Sequence, residues 1–258
     1  MGLWENRIFR QPRERNIMNF QNLYAGHFTA PEFKEKVAQS RGVILVCGSC
    51  EQHGYHLPLD TDNIIGFELA LRIADRSKLL VMPPVSYGQV WSAKGFPGTI
   101  SLSADLLKKL LRELVVSLHQ QDIPNIILMS GHNGNYPYLK ELARELLDEF
   151  KWNNIWHFPL TFSKEVLSLA KSPQPMAPHA GELETALMLY LHPELVDLSK
   201  ATREYPQAPK DYPYRPMHWK EFVKTGSFGD GGLATAEFGK ALAEDVVLRT
   251  SNLINQLL

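Results

Sequence analysis

The feature that most constrains this chain is a rhythm of short apolar runs, each closed by Gly, Pro, Ser or His, separated by longer amphipathic stretches. "VILVCG" (43–48), "LLVMPPV" (79–85), "NIILMSG" (125–131) and "NIWHFPLTF" (154–162) are the apolar runs. Short, partly β-branched runs of this kind suit strands buried on both faces, as in parallel sheets. Between them, "DNIIGFELALRIADR" (62–76), "SADLLKKLLRELVVSLHQQ" (103–121) and "YLKELARELLDEF" (138–150) repeat apolar residues at helical steps. Ser103 stands where the second of these needs an N-cap. A further helix begins near Gly181 with "ELETALMLYL", and "ATAEFGKALAEDVVLRTSNLINQLL" closes the chain. The alternation predicts an α/β fold: a single domain with a mainly parallel sheet flanked by helices. For 258 residues one large domain is expected over 21–258, preceded by an irregular basic arm over 1–20.

Charge excludes some partners. Lys plus Arg number 27 against 28 Asp plus Glu, a formal net charge of -1, which gives no basis for binding nucleic acid or an anionic membrane. No apolar segment approaches the length of a bilayer span. The opening "MGLWENRIFRQPRERN" carries four arginines but no apolar signal core, so a cytoplasmic protein is expected, starting at Met1 or Met18. The two cysteines, Cys47 and Cys50, form a C-x-x-C. A four-thiolate zinc site needs two more, and a redox pair usually opens a helix, whereas Pro58 and glycines follow here. One buried strand thiol and one loop thiol is the better reading.

Two stretches break the rhythm, 86–102 and 199–232, both rich in Pro, Gly and aromatics. Loops this long in a compact domain are usually functional, and Trp91, Tyr212 and Trp219 are candidates to wall a pocket. In an open α/β sheet ligands bind beyond the carboxyl ends of the strands. There the sequence delivers Glu51 and His53 after the first strand, Asp62 at the start of the next helix, His132 after the third strand, and His179, Glu182 and Glu184 at a later loop–helix junction. Taken singly each has an ordinary role; Thr61–Asp62, for example, is a good capping sequence. Together they match the imidazole and carboxylate mixture that Zn²⁺, Mn²⁺ or Fe²⁺ prefers, and a carboxylate such as Asp62 can offer one oxygen to each of two ions.

"GSCEQHGYHLPLDTD", "FPGTISL", "SGHNGN", "HAGELET" and "GDGGLATAEFGK" resemble, in order, the signature motifs of the creatininase (creatinine amidohydrolase) family. The resemblance spans residues 43 to 240 and is most specific in the E-x-H-G-x-H-L-P-L-x-T-D element. It implies a three-layer α/β/α domain, a homo-oligomer, commonly a hexamer, and a binuclear centre that activates water against a C–N bond. By motif position, Glu51, Asp62 and His132 would hold one ion, and His53 with the bridging Asp62 the other. The sequence departs at Gly134, where creatininase itself carries a glutamate for the second metal. Glu182, three residues after His179, is the candidate replacement; a weaker second site or a single ion is the alternative. His179 is the candidate general acid/base. Glu184 is a candidate for proton transfer, or a helix-start acid favourable to the dipole. His56 suits a supporting hydrogen bond, and Asn133 or Asn135 substrate orientation. The expected activity is metal-dependent hydrolysis of a small-molecule amide, cyclic or formamide-type, with two divalent ions per chain. The competing expectation is a scaffold or regulatory subunit that keeps the metal cradle without turnover.

Overall fold

The computed structural model describes residues 20–173 and 179–258; the expected arm at 1–20 therefore lies outside the described residues except for Phe20. Four parallel strands, β1 (Val43–Cys47), β2 (Leu80–Val81), β3 (Ile126–Ser130) and β4 (Ile155–His157), form one sheet in the order β2-β1-β3-β4. The helices are α1 (Ala30–Gln39), α2 (Thr61–Ser77), α3 (Ala104–His119), α4 (Tyr136–Phe150), α5 (Lys164–Leu167), α6 (Glu182–Leu191) and α7 (Ala236–Leu257). A small antiparallel pair, β5 (Arg203–Glu204) with β6 (Gly229–Asp230), sits within the second long loop.

Every residue of β1 and β3 is buried, because alternate side chains feed two separate cores. Ile44, Val46, Ile127 and Met129 pack with α2, α6 and α7, while Val43, Leu45, Ile126 and Leu128 pack with α3 and α4. Burying each such side chain is worth about 1.5–3 kcal/mol, so both strands are fixed from both sides. The three-layer α/β/α arrangement expected from the sequence follows. Ser103 caps α3, its hydroxyl accepting from Leu106 N at 3.2 Å.

Three local features differ from expectation. The run at 79–85 follows β1 from Met82 N to Val85 N, but Pro83 and Pro84 have no N–H and limit the regular ladder to Leu80–Val81. The run at 154–162 leaves the sheet after His157, ahead of Pro159. Helix α1, held by a Thr29–Glu32 capping box, buries no residue, so its apolar signal is faint.

The strand order places the site. From β1 the chain crosses through α2 to β2 on one side, then returns through α3 to β3 on the other side of β1. Right-handed crossovers in opposite directions put α2 and α3 on opposite faces. A crevice is left beyond the carboxyl ends of β1 and β3. Among the described residues no helix is long and apolar enough to cross a membrane.

Candidate metal centre

The loop after β1 turns back on itself and starts α2 with Asp60 at the N-cap position. Asp62 is therefore inside the first helical turn, and its carboxylate is free of capping. It is buried, accepts from Ser49 Oγ at 2.6 Å, and faces two histidines: Oδ1 is 3.3 Å from His53 Nε2 and Oδ2 is 3.0 Å from His132 Nδ1. Asn63 beside it donates to Ser49 O at 2.8 Å and Ser86 O at 3.1 Å, fixing the helix start against both loops. Glu51 Oε2 lies 2.9 Å from His132 Nδ1, and Glu184 Oε2 lies 3.7 Å from His53 Nε2.

The orientation of the two histidines is informative. The Nε2 of His132 lies 3.0 Å from the main-chain oxygen of Gln89, and the Nδ1 of His53 lies 3.1 Å from the main-chain oxygen of Glu51. A carbonyl only accepts, so each ring spends its N–H there and turns its other nitrogen towards the carboxylates. Metal-ligating histidines are held in this way. Among the described residues, the buried Glu51 Oε1 and Oε2 and His53 Nε2 meet only ion-pair approaches and no well-formed hydrogen bond, an arrangement that costs free energy unless a cation or proton answers it. Two ligand sets, Glu51–Asp62–His132 and His53–Asp62–Glu184, bring their donor atoms within 4.8 Å of one another and share Asp62. A third set, Glu51–His53–His179, abuts them. The donors fit a pair of borderline divalent cations.

Electrostatics agree with that fit. Burial opposes the charged form of His53, but Asp62, Glu184 and Glu51 outweigh it and push its pKa up to about 10. His132 is part-buried, and against that desolvation Asp62 and Glu51 raise it well above the usual imidazole value. Asp62 is buried, yet His53 and His132 hold it well below the carboxylate range. Burial raises Glu184, with His53 and His179 acting against it. The carboxylates thus draw positive charge to this point, and cations can supply it in place of protons.

Glu182 requires a correction. Its buried carboxylate accepts from Lys171 N at 2.8 Å and Ser172 N at 2.6 Å, away from the cluster. At the first position of α6 it points back to the preceding loop, whereas Glu184, two residues on, faces His53. Of the two acids, Glu184 lies near the cluster and Glu182, the one expected from the sequence, does not. Asn135 also differs from expectation: it is fully buried, donates to Gly48 O at 2.9 Å and accepts from Gln89 N at 2.9 Å. It ties the ends of β1 and β3 to the 86–102 loop, and Asn133 alone of the two faces the cavity. Gly134 leaves no room for a side chain, since a Cβ there would lie 2.4 Å from His132 Nε2 and 2.9 Å from Gln89 O. His56 is buried and joins the loop to α6, its Nε2 lying 2.8 Å from Thr185 Oγ1, and burial lowers its pKa to about 4. Cys47 lies buried in β1 with its thiol pushed up to about 12 by burial, and Cys50 is in the loop; both are free.

His179 sits at the cavity with its ring 4.4 Å from that of His53 and 5.0 Å from that of Trp219. Its Nε2 is 2.8 Å from the main-chain oxygen of Gln52 and 3.0 Å from the side-chain nitrogen of the same residue. The neighbouring Ala180, at φ 48, directs its N–H to Glu184 Oε2 at 2.6 Å. Gln89 was not identifiable from sequence, because its main-chain carbonyl contributes and any residue type has one; Gln52 contributes both its carbonyl and its side-chain amide. The cavity above the cluster has a volume of about 280 Å³ and is walled by Trp91 and Trp219. Tyr212 stands behind the wall, its hydroxyl 3.2 Å from Trp219 Nε1.

Known proteins share this frame. A creatinine amidohydrolase of Pseudomonas putida is 28% identical over 257 residues, covering 92% of this chain and 97% of that protein. A mycofactocin precursor peptide peptidase of Mycolicibacterium smegmatis is 31% identical, covering 80% of this chain and 81% of its own. The crystal structure of a creatinine amidohydrolase (creatininase) superposes with a TM-score of 0.81 at 26% identity, over 91% of this chain and 97% of that one. Solved creatininases include a form described as Mn and a mutant described as Zn-Zn type. Residues 26–254 match the family model described as creatinine amidohydrolase, and this chain belongs to the creatininase family.

Proposed function

We propose that this chain is a metal-dependent amidohydrolase that cleaves the C–N bond of a small cyclic amide or formamide, acting in the cytoplasm as a homo-oligomer. The observation that carries the reading is the pair of ligand sets sharing Asp62, with His53 and His132 each fixed through one nitrogen and offering the other. Glu51, Asp62 and His132 would hold one divalent ion, and His53, Asp62 and Glu184 the other. When bound, such ions polarise an amide carbonyl and raise the acidity of water.

The remaining work falls to the chain's own side chains. Hydrolysis adds the oxygen of water to the carbonyl carbon, breaks the C–N bond and delivers a proton to the departing nitrogen. On this reading His179 carries that proton. Protonated, its Nε2 donates to the Gln52 carbonyl; deprotonated, it accepts from the Gln52 side-chain amide. Both states of the ring nitrogen thus find a partner without movement. Family relatives that hydrolyse amide bonds support the hydrolase class.

The test combines elemental analysis with a turnover screen of lactams and formamides. Two ions per chain, chelator-sensitive hydrolysis and its restoration by Zn²⁺ or Mn²⁺ are expected. His179→Ala should lower the rate by about 100-fold or more with the ions retained. Near-native turnover by Asp62→Ala would refute the assignment.

A further inference from the structure

The cavity wall has a charge character of its own, and it limits what the centre can be offered. Outside the metal cluster the lining is neutral: Gln89, Val90, Trp91, Ser92, Asn133 and Trp219. Among the described residues, no Lys or Arg lines the cavity. The two tryptophans belong to different loops and are locked together. Trp219 N donates to Ser92 O at 2.8 Å. The Trp91 ring lies 4.3 Å from His218, whose Nδ1 is 2.8 Å from Trp91 O. Trp219 is backed by Phe228 at 4.7 Å between ring centres, and its indole N–H is tied to Tyr212. Rings held this firmly lose little freedom when a flat ligand stacks on them. A phosphate or carboxylate on such a ligand finds no counter-charge on the wall and loses hydration on entering.

We propose that Trp91 and Trp219 are the specificity-determining residues of this site, selecting flat, uncharged amides and rejecting those whose distal end carries a phosphate or carboxylate. The inference rests on the amidohydrolase reading and narrows it. Of the relatives, one deformylase acts on a ribosylaminopyrimidine 5'-monophosphate by its name; the wall described here lacks the cation such a phosphate calls for.

Formanilide and its 4-carboxylate and 4-phosphate analogues separate the two ideas, because each keeps the same formyl group and varies only the far end of the ring. Hydrolysis of each adds water to the formyl carbon, breaks the C–N bond and releases formate, the aniline and one proton, which passes to the aniline nitrogen or to solvent. With protein carrying its metal ions, kcat/KM for formanilide should exceed that for either charged analogue by about tenfold or more. Trp219→Ala and Trp91→Ala should each lower the formanilide value by about five- to tenfold and bring the ratio towards one, with metal content and melting temperature near wild type. Trp219→Phe, which keeps a ring, should recover most of the selectivity and covers the case in which the alanine variant fails to fold. Equal or better turnover of the charged analogues overturns the proposal, as does an unchanged ratio in both alanine variants. So does failure of formanilide to bind, by calorimetry, or to turn over in protein that holds two ions. If elemental analysis finds no ion and no amide is hydrolysed, the underlying reading fails and takes this one with it.

Discussion

Glu182 and Glu184 lie two residues apart at the start of α6, and replacing each by Gln should give opposite signatures. Glu184 faces His53 at 3.7 Å and belongs to the ligand set with Asp62. Loss of an outer-sphere partner already weakens metal binding by about 10- to 100-fold, so loss of a ligating carboxylate should exceed about 100-fold, roughly 2.7 kcal/mol. At micromolar protein and metal, Glu184→Gln should therefore retain close to one ion per chain instead of two. Glu182 instead accepts three short contacts from Lys171 N and Ser172 N, between 2.6 and 3.1 Å. Gln keeps one acceptor oxygen but removes the charge, which should cost about 1.5–3 kcal/mol. For a domain of this size that is a fall in melting temperature of about 3–12 °C, with both ions kept. Elemental analysis and thermal unfolding, run on the two variants side by side, decide the matter. An intact metal count in Glu184→Gln, or a lost ion in Glu182→Gln at normal stability, would refute the reasoning from geometry.

Other outcomes follow from the same geometry. In chelated protein His53, with its pKa pushed up to about 10, is protonated at pH 8. Metal binding needs it neutral, so calorimetric titration with Zn²⁺ in buffers of different ionisation enthalpy should register proton release; none released would refute the assignment of this ligand. His53 and His132 are both raised in the folded state, so their contribution to the stability of the chelated protein is full below pH 6.5 and is lost as pH rises through about 10 for His53. Unfolding of chelated samples across that window checks the sign. Gly134→Ala should displace His132 from Gln89 O and lower metal affinity by about tenfold or more, while Asn135→Ala should cost about 3 kcal/mol and leave the ligands in place. Equilibrium dialysis and denaturant titration measure these two.

The sheet and most helices were legible because the signals that encode them are local: apolar runs, helical periodicity and the cap at Ser103. The clustering of the candidate ligands was legible for a different reason, since the ends of parallel strands converge whatever the loops do. Two kinds of detail stayed hidden. Which acid of "GELET" turns inward depends on the backbone at Ala180 and on the two N–H groups of residues 171 and 172, a tertiary fact with no periodic trace. The contribution of Gln89 is made by a main-chain carbonyl and so leaves no mark on residue identity, and the Gln52 side-chain amide meets His179 only through the tertiary fold. Gly134 read as a lost ligand; in the fold it is the clearance that lets His132 reach Gln89.

Asp62 sits on a helix packed so tightly against the end of β3 that a Cβ at Gly131 would fall 2.0 Å from the Asp62 main-chain oxygen. The wall of the cavity, by contrast, is carried on two loops that meet through Trp219 and Ser92. The 86–102 loop serves both parts, since the main-chain oxygen of Gln89 holds His132 while Trp91, two residues on, faces the cavity. On the proposed reading, a side-chain change at Trp91 or Trp219 would alter the wall and leave that backbone contact in place, whereas a substitution under α2 would move Asp62 itself.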